Sequence, residues 1–243
     1  MSFVIYIAKS PARSAGPRKG YINLFSEMSF NTRFSSEDLA RIKAAVFEAE
    51  SKISGEIVPV FVESSGRYII ANYRGGLIAA ISAFLTIIFL DRYASAYAVY
   101  DPLMILVIFL FAGITGAFAC HYIPALKRLL VQQQHFDSST RIRAERAFLE
   151  QEVFATRERT GILIFVSFFE QEVIVMADKG ISKVVDQKEW DSLVRLIIDG
   201  IRRNKLVEGI EAAIKRSGEI LLEKGFLRAE DDINELGDDL RIQ

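Results

Sequence analysis

The chain has 243 residues, about half of them apolar, with 30 basic and 31 acidic side chains and a formal net charge of −1. Near-neutral charge leaves no electrostatic footprint for nucleic acid, which is excluded as a natural partner. One cysteine, Cys120, rules out an intramolecular disulfide and a thiolate cluster, and His121 and His135 are too few and too far apart for a zinc site.

Residues 1–34 read as a flexible N-terminal extension. The opening MSFVIYIAKS holds too short an apolar stretch for a signal-peptide core with the usual flanks. Pro11, Gly16, Pro17 and Gly20 then punctuate a basic loop. The tripeptide Met-Ser-Phe recurs at Met28, so Met28 is an alternative start to Met1.

An α/β domain begins in residues 35–66. Ser35 and Ser36 precede Glu37 and Asp38, a helix start with acids in its first turn. Leu39, Ile42, Val46, Ala49 and Ile53 form one apolar helical face, and Ser54-Gly55 ends it. EIVPVFVES, from Glu56 to Ser64, is a strand; Pro59 lacks a donor and suits an edge or a bulge.

Residues 75–123 hold two apolar runs, GGLIAAISAFLTIIFL and LMILVIFLFAGITGAFACHYI, joined by a short link with Asp91-Arg92 and Asp101-Pro102. A bilayer core needs about 20 apolar helical residues. The second run meets this; the first is shorter and needs Asp91 or Tyr93 at the interface, or local thinning. The alternative of two buried helices in a soluble protein is disfavoured, because neither run carries a charge or a polar stripe at helical spacing. Arg67 and Arg74 before the hairpin, and Lys127 and Arg128 after it, place both flanks in the cytoplasm. Tyr68, Tyr73, Tyr93, Tyr97, Tyr100 and Tyr122 sit where interfacial aromatic residues are expected. Gly75, Ala79 and Ala83, and Ala112, Gly116 and Cys120, form small-residue faces that permit close helix approach, including self-association between chains. No charge lies deep in either span, which argues against transport.

After an interfacial helical stretch from Pro124 to His135, the α/β domain resumes over residues 137–226. Asp137, Ser138 and Ser139 start an amphipathic helix running to Arg159, with Ala144, Ala147, Phe148, Gln151 and Phe154 on one face. GILIFVSFFE, from Gly161, is a strand buried on both faces. Glu170-Gln171 turns the chain, and EVIVMAD returns as its antiparallel partner, closed by Asp178-Lys179-Gly180. A helix from Gln187 to Asn204 carries a stripe from Trp190 to Ile201; a last helix spans Val207 to Lys224 and Gly225 stops it. Residues 227–243 form an acidic, mobile tail. One strand before the hairpin and two after it make a sheet only together. The chain is therefore one α/β domain interrupted by the hairpin, with the first strand pairing into the later sheet; so long a crossover is compatible with a parallel pairing.

These motifs, SGEIVPVFVE, then ERTGILIFVSFFEQEVIVMADKGI, then WDSLVRLIIDGIRRNKLVEGIEAAIKRSGEILLEKGF, resemble the TPM domain family over Ser35–Ser64 and Arg141–Phe226. The chain is most similar to the bacterial membrane-anchored branch, in which two transmembrane helices interrupt the domain. The resemblance implies a small α/β/α sandwich. It also implies metal-binding or phosphatase-like chemistry at acidic strand ends, here Glu56 and Asp178, with Asp186 and Asp191 flanking the next helix start; Glu56, Asp178 and Asp186 would hold Ca2+ or Mg2+.

The soluble part has no Cys-Arg phosphate loop, glycine-rich phosphate cradle or histidine nucleophile. The expected function is therefore that of an integral membrane protein of the bacterial inner membrane, with both termini cytoplasmic. It presents its TPM-like domain to a protein partner for assembly or maintenance. The alternative is a divalent-metal-dependent phosphatase-like hydrolase.

Overall fold

The computed structural model describes residues 34–94, 101–228 and 241–242. The expectations for the N-terminal arm up to Arg33, for Tyr97 and Tyr100, and for the acidic stretch of the tail lie outside the described residues. The fold is mixed α/β and mostly helical. Its elements are α1 (Ser36–Glu50), β1 (Ile57–Val62), α2 (Ile69–Tyr93), α3 (Pro102–Tyr122), α4 (Pro124–Leu130), α5 (Gln133–Glu150), β2 (Ile162–Ser167), β3 (Glu172–Ala177), α6 (Lys179–Ser182), α7 (Gln187–Arg202), α8 (Leu206–Glu223) and β4 (Arg241–Ile242). Two units divide the chain: one holds the residues up to Ser65 and from Asp137 onward, the other Gly66–Phe136.

The first unit is built on a sheet of order β3-β2-β1-β4. β1 and β2 pair in parallel from Ile57↔Ile162 to Val62↔Ser167, and β3 runs antiparallel to β2. Every residue of β1, β2 and β3 is buried, and alternate side chains divide between two cores, as strand geometry requires. Ile57, Phe61, Ile162, Ile164, Val173 and Val175 pack with Ile42 and Val46 of α1, Trp190, Leu193 and Ile197 of α7, and Ile210 and Ile214 of α8. Val58, Val60, Leu163, Phe165, Ile174 and Met176 pack with Ala144, Ala147 and Phe148 of α5.

Pro59 fits β1 because of this alternation. The carbonyls of Glu56 and Val62 accept from Ile162 and Phe168 on the β2 side, so Pro59, at odd spacing from both, turns its missing N–H away from β2. β4 meets β1 only at Val60 and Phe61, beyond the proline.

α1 starts as expected: the Asp38 N–H donates to Ser35 Oγ at 3.0 Å and the Ser35 N–H to Asp38 Oδ2 at 2.9 Å, a capping box. Four boundaries differ from the sequence reading. Phe34, assigned to the flexible extension, is buried against Phe61 and Phe168, with ring centroids 5.1 and 6.1 Å away. α5 begins at Gln133 rather than Asp137, because nothing between them breaks a helix, and it ends at Glu150. A short helix, α6, follows Asp178 where a plain turn was expected. The tail read as mobile is paired at two places: Leu227 bridges Ile53 outside the sheet, and β4 lies beside β1 within it. The open edge of β1 offers unpaired main-chain groups that such a segment satisfies.

In the second unit, α2 and α3 are each long and apolar enough to cross a membrane. At 1.5 Å per residue they measure about 37 and 31 Å, so α2 is longer than its uncharged run. It starts at Ile69 and absorbs Asn72 and Arg74 into its first turns. Most of the large apolar side chains of both helices are exposed. They face each other through small residues: a Cβ at Gly116 would stand 2.4 Å from Ala79 Cβ and 2.7 Å from the Gly75 carbonyl. The small-residue faces are thus engaged within the hairpin. Tyr73, Tyr93 and Tyr122 are exposed, but Tyr68 is buried, its ring 4.8 Å from that of Phe136.

Candidate functional site

The three acids that the resemblance singles out lie at three different kinds of position. Glu56 is buried just before β1, where its carbonyl accepts from the Ile162 N–H at 2.7 Å. Asp186 is exposed and is the N-cap residue of α7; its N–H donates to Glu189 Oε2 at 3.2 Å. Asp191 accepts from Gln187 Nε2 at 2.9 Å along the same helix.

Asp178 holds the most elaborate position. Its side chain is 1% exposed and faces the Arg159 guanidinium, which is 41% exposed. Arg159 Nη2 donates to Oδ1 at 3.1 Å, and Nε lies 2.7 Å from Oδ2 as a charge contact rather than a linear hydrogen bond. Oδ1 also accepts from the Lys179 N–H at 2.6 Å, which starts α6. Arg159 itself sits at φ 60°, beside the Phe154 ring, with its guanidinium carbon 5.9 Å from the centroid. Gly180 completes the arrangement. Its N–H donates to the Arg159 carbonyl at 2.9 Å, and a Cβ there would stand 2.4 Å from the Glu158 carbonyl oxygen. Asp178-Lys179-Gly180 therefore clasps the turn that leads into β2.

A hard cation takes six to eight oxygens at about 2.3–2.6 Å. Among the described residues no three His, Cys, Asp or Glu side chains are grouped so as to hold a metal ion. Glu56, Asp178 and Asp186 are thus not brought together, and the Asp178 carboxylate is already neutralised by a guanidinium.

A second polar cluster was not anticipated. Glu170, read as a turn residue, is fully buried. Its Oε1 accepts from Ser64 Oγ at 3.1 Å and from the Ser65 N–H at 2.9 Å; its Oε2 accepts a short bond from Ser167 Oγ. Ser65 and Ser167 hydroxyls share a bond of 2.7 Å. These groups lie at the C-terminal ends of the parallel strands β1 and β2, where α/β proteins commonly place ligands. Here the ends are closed: Ser167 and Glu170 are sealed from solvent, and the carboxylate is occupied by serine and backbone donors. The cluster clamps the exit of β1 onto the β2–β3 turn. The only signal in the sequence is a serine inside the otherwise apolar run ILIFVSFF, where a lone hydroxyl demands a partner.

No protein-family model and no curated protein matches the chain. Among solved structures it is similar to the NMR structure of BA42 protein from the psychrophilic bacterium Bizionia argentinensis, with a TM-score of 0.53 and 18% identity, covering 86% of this chain and 95% of that one. At that identity the likeness concerns the fold alone.

Proposed function

We propose that this chain is an integral membrane protein of the bacterial inner membrane. Its hairpin of α2 and α3 spans the bilayer, and its other unit is a TPM-like α/β/α sandwich that presents one face to a protein partner for assembly or maintenance at the membrane. The observation that carries this reading is the outward apolar surface of the hairpin. Leu77, Leu85, Phe89, Leu106, Leu110 and Phe118 are all more than half exposed, a surface that water does not tolerate over two adjacent helices. The helices bury small residues against each other and turn large ones outward, as helices in lipid do. The sandwich is supported by the two cores, one formed with α1, α7 and α8 and one with α5. Because β1 precedes the hairpin and β2 follows it, the unit is tethered at two points. The basic flanks favour cytoplasmic placement.

The test is alkaline carbonate extraction followed by thiol labelling in a Cys120→Ser background. The full chain is expected to stay in the membrane pellet. A cysteine introduced at Asp101 is expected to react with an impermeant reagent from outside, and one at Glu48 only after lysis. Release by carbonate, or the reverse labelling, removes the reading. Reproducible in-cell cross-linking of one partner through the Glu48 position supports the interaction role.

A further inference from the structure

We propose that the end of the hairpin that carries the basic residues is a binding site for the headgroups of anionic phospholipids, formed by Arg67, Arg74 and Lys127. The inference rests on the membrane-spanning reading above and adds the lipid class.

The two ends of the hairpin differ in charge. From Gly66 to Gly76 and from His121 to Phe136 the sequence carries these three cations and Arg128, and no Asp or Glu before Asp137. The opposite end carries Arg92 between Asp91 and Asp101. An anionic headgroup therefore finds complementary charge at one end only.

The cations are also set at the depth of a headgroup. α4 follows α3 after the single residue Ile123. It is tied back to α2 by Arg74, whose Nη1 donates to the Leu130 carbonyl at 2.7 Å. A guanidinium has five N–H donors, so this bond fixes the position of Arg74 without exhausting it. Leu126 and Leu129, three residues apart on α4, are exposed, Leu129 by 78%. Ile69, Ile70 and Tyr73 are exposed on the first turns of α2. Lys127 thus sits beside apolar side chains that favour the acyl region, while its own head favours the phosphate level. Arg67 is exposed just before α2. An apolar rim at the acyl boundary with cations above it is a match for phosphatidylglycerol-type headgroups.

The test uses the full chain in phosphatidylcholine vesicles, washed in carbonate, with trace spin-labelled phosphatidylglycerol or phosphatidylcholine. Electron paramagnetic resonance reads the motionally restricted fraction of each lipid. A cation near the surface contributes about fivefold in affinity for anionic lipid. Phosphatidylglycerol is therefore expected to exceed phosphatidylcholine by about fivefold or more at low salt, and the preference to collapse at about 0.5 M salt. The double variant Arg67→Gln/Lys127→Gln breaks no hydrogen bond described above, and should lower the preference several-fold; Arg92→Gln should leave it unchanged. Equal restriction of both lipids in carbonate-resistant protein overturns this inference alone. So does a preference that the double variant keeps, or one abolished by inorganic phosphate alone, which would mark an ion site. Loss of the protein in the carbonate wash overturns both this inference and the membrane reading.

Discussion

Replacing Arg159 by Met should destabilise the α/β unit more than replacing its partner Asp178 by Asn. Met keeps the apolar stem beside Phe154 but removes the guanidinium, leaving a carboxylate that is 1% exposed with only the Lys179 N–H among its described donors. Breaking a fully buried pair this way costs about 3–5 kcal/mol, and a surface pair about 1 kcal/mol or less. With Asp178 buried and Arg159 41% exposed, the expected loss is about 2–3 kcal/mol. Asp178→Asn removes the same ion pair, but the orphan is now a guanidinium that water reaches, and an amide oxygen can still accept from Lys179. About 1–2 kcal/mol is expected there. Urea unfolding of the full chain in detergent, followed by the fluorescence of Trp190, reads both, because this single tryptophan is buried in the core against α8. With a slope of about 2 kcal/mol per M, Arg159→Met should move the midpoint down by about 1–1.5 M. If Asp178→Asn cost as much as Arg159→Met, or if neither moved the midpoint, the pair would not be the clasp described here.

Three further outcomes are expected. Titration of the full chain with Ca2+ or Mg2+ by calorimetry should give no saturable heat that depends on Asp178; heat lost in Asp178→Asn would reinstate the acids as ligands. In the hairpin, Gly116→Val should lower the thermal aggregation temperature in detergent, since overpacking costs about 1–3 kcal/mol. Gly113→Ala should not, because its Cβ would meet nothing nearer than 3.6 Å. Ser35→Ala should cost about 1 kcal/mol at neutral pH through loss of the α1 cap. The Ser35 N–H, and then its hydroxyl, hold the Asp38 carboxyl below its usual range. Ser35→Ala removes only the hydroxyl's share of this, a contribution that is complete above the unfolded value near pH 4 and is lost as pH falls through the lower folded value. The difference between wild type and Ser35→Ala in urea midpoint should therefore shrink on acidification, and a difference that grows would contradict the cap.

Periodicity made the faces of the elements legible. The stripe from Trp190 to Ile201 faces the core, β2 and β3 pair antiparallel, and β1 joins β2 in parallel across the hairpin. Ser35 and Asp38 lie three residues apart, so their reciprocal bonds could be read from local sequence. Pairings between distant side chains left no such trace. Arg159 and Asp178 stand nineteen positions apart and Ser65 and Glu170 stand 105 apart. Nothing in residue type alone distinguishes a buried, paired acid from one waiting for a cation. Asp178 looked like a ligand and is half of an ion pair; Glu170 looked like a turn residue and is sealed inside a serine cluster. The start of α5 was misplaced for a different reason: Asp-Ser-Ser resembles a cap, but Gln133 to Phe136 is equally helix-compatible, and a cap motif inside a continuing helix has no orphan amide to satisfy.

The parallel pairing of β1 with β2 also sets an order of events during synthesis. β1 leaves the ribosome before the hairpin and stays without its neighbour until about a hundred further residues have followed, roughly 5–20 s at ordinary elongation rates. Those residues include both apolar helices. For a chain that inserts into a bilayer, closure of the sheet thus waits on insertion. A hairpin that enters correctly returns β2 to the compartment where β1 was left; one that enters halfway strands the two on opposite sides, and β1 keeps its apolar edge open to quality-control proteases. On the membrane-spanning reading proposed above, completion of the sheet would act as a proofreading step for membrane topology.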